Sequence, residues 1–92
     1  MEFNAVREAA EGYRADMAGF LRDLIKIPGE SCREEAVARR ILAEMRKLGF
    51  DRAELDPMGN VLGWMGAGEK LIAYDGHIDT VGLGELSNWK FD

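Results

Sequence analysis

The segment SCREEAVARRILAEMRKLGF, Ser31 to Phe50, carries the chemistry of both ends of a helix. Ser31 and Glu34 have the S-x-x-E spacing of a capping box, and Gly49 stands where a left-handed residue closes a last turn. Acids gather at its start and bases at its end, as the helix dipole prefers. Val37, Ile41, Met45 and Leu48 form the stripe expected to be buried, and Glu35 with Arg39 is an i,i+4 pair in the favourable order. A chain of 92 residues built around this helix has room for one small domain, 1–92.

Upstream, Val6, Ala10, Tyr13, Met17, Phe20 and Leu24 recur at spacings of three and four, which predicts a helix from about Asn4 to Ile27. Pro28 and Gly29 end it. Gly12 and Gly19 each cost such a helix about 1 kcal/mol relative to alanine, so packing must hold it together. After Gly49 the period falls to two: Ala53 and Leu55 alternate with Arg52, Glu54 and Asp56, the pattern of a half-exposed strand. Asp56-Pro57-Met58-Gly59 has turn chemistry, and Val61 to Met65 is predicted to return as its hairpin partner. Leu71-Ile72-Ala73-Tyr74 reads as a third strand covered on both faces. The fold class is therefore α/β: two N-terminal helices on a small mixed sheet of about three strands. If neighbours are missing, the third strand offers an apolar edge for pairing into a homo-oligomer.

Composition excludes several classes. Twelve basic against seventeen acidic side chains give a net charge of −5, which argues against a nucleic-acid groove. No apolar run is long enough to cross a membrane and no secretory leader is visible, so cytoplasm is the default expectation. A single cysteine, Cys32, fits a reducing compartment, and a capping-loop role suits it better than a nucleophile's.

Candidate chemistry sits in Tyr74-Asp75-Gly76-His77-Ile78-Asp79-Thr80. In extended backbone, His77 and Asp79 fall on one face with Cα atoms about 6.6 Å apart, and Ile78 on the other. Two readings of the pair stand side by side. In one, His77 is a zinc ligand and Asp79 accepts its second N–H, fixing the tautomer; in the other, the two are a hydrogen-bonded structural pair. Asp75 has a similar choice between the metal and solvent. With one histidine in the chain, further ligands to a catalytic zinc have to be carboxylates or come from another polypeptide.

The ordered series FLRDLIKIPGESCREEAVARRILAEMRKLGF, DPMGNVLGWMG and YDGHIDTVG resembles the opening of the zinc-dependent metallopeptidase family that contains acetylornithine deacetylase, succinyl-diaminopimelate desuccinylase, aminoacylase and carboxypeptidase G. It is most similar to that family's selenium-metabolism hydrolase branch. The resemblance spans nearly the whole chain. It implies part of a catalytic domain, with His77 as the first metal ligand and Asp79 as the catalytic-site residue that orients it. It implies zinc, or cobalt or manganese in its place, and hydrolysis of an amide bond in a peptide-like or N-acyl amino-acid substrate. The bridging aspartate, general-base glutamate, distant last histidine and lid domain of that family have no counterpart here. The expectation is weak or absent metal binding and no independent turnover, with a non-catalytic interaction module as the alternative.

Overall fold

The computed structural model describes residues 2–29, 34–80, 82, 84, 85 and 87. Three helices, α1 (Phe3–Gly12), α2 (Arg14–Lys26) and α3 (Glu35–Lys47), precede strands β1 (Arg52–Leu55) and β2 (Val61–Trp64). The long first helix of the sequence reading is divided at Tyr13 (φ −93°, ψ 0°), whose N–H turns back to the Ala10 carbonyl three residues earlier, at 3.1 Å. The flexible Gly12 immediately precedes this break. None of the apolar stripe of α1 and α2 is fully buried. Phe20 and Leu24 are half-covered, whereas Tyr13 and Met17 remain exposed.

The α2–α3 contact is organised by Arg40. Its guanidinium reaches Asp23 on α2 at 3.0 Å and Glu44 one turn along α3 at 2.8 Å, and lies 5.0 Å from the centre of the Phe20 ring. Arg40 is thus a half-covered bridge rather than part of a solvated basic face. The hydrogen bonds to Glu44 and Asp23 raise its pKa above the ordinary arginine value, so it stays charged.

α3 supplies the core: Val37, Ala38 and Leu42 are the buried hydrophobic side chains among the described residues. Compared with the predicted stripe, the buried face is turned toward Ala38 and Leu42, and Leu48 is exposed. The sheet packs on α3 as well, with Gly63 of β2 against Met45. Ser31 of the capping box lies outside the described residues; Glu34 stands at the N-cap and the helix itself starts at Glu35. Its other end closes as the sequence indicates. Gly49 adopts φ +82°, its N–H meets the Arg46 carbonyl at 3.2 Å, and the Phe50 N–H meets Met45 at 3.1 Å. This paired closure satisfies two terminal carbonyls. Glu35 and Arg39 form the expected ion pair at 2.9 Å, though exposure leaves it a minor stabiliser.

β1 and β2 are antiparallel, with Ala53 opposite Gly63 and Leu55 opposite Val61. The helix rests on Gly63: a Cβ there would lie 2.7 Å from Phe50 Cδ2 and 2.8 Å from Met45 Sδ. The turn is held by Asp56. One carboxylate oxygen accepts the main-chain N–H groups of Met58 and Asn60, and the other accepts the Asn60 side-chain amide, at 2.8–2.9 Å. Gly59 completes it at φ +89°. The Asn60 side chain, followed by its main chain, holds the Asp56 pKa below the ordinary carboxylate value of 3.8. Because the folded value is the lower one, this contribution is complete above the unfolded pKa and is lost as pH falls through the folded one. In an acid titration the hairpin-tip amide signals of Met58 and Asn60 should therefore persist through the ordinary carboxylate range and collapse only below it, and Asp56→Ala should remove that step.

The sheet has two antiparallel strands among the described residues, not about three in mixed directions. Leu71 to Tyr74 joins neither strand. An extended run gains a ladder only where a neighbour supplies partners, and here Leu71, Ile72 and Tyr74 are exposed.

Candidate metal-ligand site

The backbone brings His77 and Asp79 together. His77 Nδ1 lies 3.0 Å from Asp79 Oδ1 and 3.2 Å from the Asp79 main-chain oxygen. Both neighbours are acceptors, so Nδ1 must carry the proton and donate. In the neutral ring the lone pair is then on Nε2. The His77 side chain is 86% exposed and that of Asp79 46%, leaving Nε2 accessible while the carboxylate is partly sheltered. Ile78, between them, is half-buried.

Two distant segments complete the surroundings. The beginning of α3 and the hairpin tip form, with Gly76 to Asp79, an open cleft of about 850 Å³. Glu34, Glu35 and Asp56 face this cleft together with His77 and Asp79. Sequence reasoning did not place the hairpin tip or the α3 acids beside His77, since no local period links segments twenty to forty positions apart. Asp75 is exposed and does not line the cleft. Cys32 lies outside the described residues.

The loop has a tether at its far end: the Thr80 N–H donates to the Gly29 carbonyl at 2.8 Å. Gly29 is buried. It is pressed so closely on α3 that a Cβ there would stand 2.6 Å from Val37 Cγ2.

As a metal site the arrangement is partial. His77 has the tautomer and exposure of a ligand, but no group of three or more metal-ligating side chains converges among the described residues. Nor is any helix among them long and apolar enough to cross a membrane.

The chain is 57% identical over 98% of its length to the uncharacterized protein YgeY of Escherichia coli. It is 39% identical over 66% of its length to the [LysW]-lysine hydrolase of Deinococcus radiodurans. A succinyl-diaminopimelate desuccinylase of Legionella pneumophila is 29% identical over 84% of the chain. The named likeness is to hydrolases. These matches cover 22%, 17% and 21% of the respective relatives, so the chain spans about a fifth of their length. No protein-family model matches the chain, and no solved structure does. The similarity to the lysine hydrolase and the desuccinylase supports the hydrolase superfamily read from the sequence.

Proposed function

We propose that this chain is one part of a metal-dependent hydrolase that cleaves an amide bond in a peptide-like or N-acyl amino-acid substrate, and that it contributes His77 as a metal ligand with Asp79 as its orienting carboxylate. The observation that carries this reading is the bond from His77 Nδ1–H to Asp79, which leaves Nε2 bare beside a cleft. Similarity to two named hydrolases supports the reaction class. Zinc is the metal proposed, with cobalt and manganese as substitutes. When bound, it would supply Lewis-acid polarisation of the substrate carbonyl and a nucleophilic water at neutral pH. His77 would hold it through Nε2; Asp79 would keep the ring in the donating tautomer and raise its basicity. The remaining ligands and the group that moves protons would come from polypeptide beyond this chain. Alone, the chain is expected to show no turnover.

A zinc titration followed by NMR tests the ligand assignment. The His77 ring signals should shift first and most, at concentrations well above those of a complete site. Zinc collecting on the cleft carboxylates while the His77 ring stays unmoved would end the reading.

A second reading rests on exposure. Leu71, Ile72 and Tyr74 are 86%, 75% and 94% exposed, a continuous apolar segment suited to pairing with a second copy as an added strand. Sedimentation of the chain at rising concentration should show self-association that Ile72→Lys abolishes; a monomer throughout would remove this reading.

A further inference from the structure

We propose that the Gly29 carbonyl is the anchor that positions His77 and Asp79 over the cleft, acting through the main-chain amide of Thr80. The inference rests on the reading of His77 as a metal ligand, but its first readout does not depend on metal. Among the described residues, Thr80 N–H to Gly29 O is the one backbone–backbone hydrogen bond that joins residues 67–80 to the preceding chain, at the connection between α2 and α3. It falls one residue after Asp79. Without it, the exposed stretch Lys70 to His77 would reach the cleft with no main-chain constraint, and ordering it there would cost conformational entropy.

The anchor is itself rigid for a reason visible in the packing. Gly29 is buried against the first turn of α3, where Val37 is only 3% exposed, and the 2.6 Å approach to Val37 Cγ2 leaves no room for a Cβ. The glycine therefore lets the backbone lie directly on the helix and present its carbonyl to Thr80. Ala38, one residue along from Val37, lines the cleft that His77 faces. The same turn of α3 thus sets both the cleft wall and the height of the loop above it. Gly29 and Thr80 are positioning residues; neither is assigned contact with substrate or metal.

The test uses the 92-residue chain labelled with nitrogen-15, at alkaline pH where imidazoles are neutral. In the parent chain His77 should show the Nδ1–H tautomer, and the Thr80 amide should be protected from exchange. Thr80→Ala keeps the N–H and should preserve both signals. Thr80→Pro removes the donor and should abolish the tautomer preference. Gly29→Ala should do the same from the opposite side and speed exchange of the Thr80 amide by about tenfold, the scale of one lost hydrogen bond. Gly29→Ala combined with Val37→Ala reopens the space and should restore both signals, which a general loss of folding would not permit. The α3 amide signals report folding in every variant. An unchanged tautomer in folded Thr80→Pro, or failure of the double variant to recover, would overturn the proposal. A parent chain whose His77 ignores zinc while these tautomer results hold would instead defeat the metal reading and leave the anchor standing.

Discussion

Replacing Asp79 with asparagine should weaken zinc binding at His77 by roughly 10- to 100-fold, the usual cost of losing an orienting partner behind a histidine ligand. The carboxylate does two things that an amide does not. It places a negative charge 3.0 Å from Nδ1, which makes Nε2 a better donor to a cation. It also offers only acceptors, so it admits only the Nδ1–H tautomer; a rotated asparagine amide would present an N–H and favour the wrong one. The Asp79 main-chain oxygen, 3.2 Å from the same nitrogen, should retain part of the preference in this variant. His77→Ala should abolish the response altogether. Calorimetric zinc titration of the three chains gives the order parent, Asp79→Asn, His77→Ala. Equal affinities in parent and Asp79→Asn would show that the pair is a structural hydrogen bond and nothing more.

Leu42→Ala should have the largest effect on folding, because the described core consists of Val37, Ala38 and Leu42. Truncating a buried leucine costs about 2–5 kcal/mol through lost transfer energy and the cavity left behind. A domain of this size has a total stability of roughly 5–14 kcal/mol, and so small a core points to the low end. Urea unfolding followed by helix circular dichroism should show a markedly lower midpoint or no cooperative transition. A loss below about 1 kcal/mol would mean that Leu42 is not central to the core, since a collapsed or solvated site is what makes such a truncation cheap.

The parts of the fold legible in the sequence are those made by short-range hydrogen bonds. Gly49 closes α3 by bonds spanning three and five residues, and Asp56 closes the hairpin by bonds spanning two to four. The spacing of two likewise brings His77 within reach of Asp79. The features that were not legible depend on what lies opposite. Nothing in the local pattern singles out Arg40 among the charges of α3, yet α2 places Asp23 and Phe20 against it. The stripe on α1 and α2 and the run Leu71 to Tyr74 have the right composition for burial, yet only Phe20 and Leu24 among them are half-covered, and Val6, Tyr13, Met17, Leu71, Ile72 and Tyr74 are exposed.

Residues adjacent along the chain are enough to say where helix α3 stops, where the chain reverses between β1 and β2, and that an imidazole and a carboxylate stand two residues apart. Packing between remote segments selects which side of α3 is dry, brings the hairpin tip and the start of α3 to face His77, and sets Gly29 against the loop that carries it. The reason is one of range. A turn or a cap is satisfied by atoms a few bonds away, whereas a cleft exists only when segments remote along the chain pack close enough to share it.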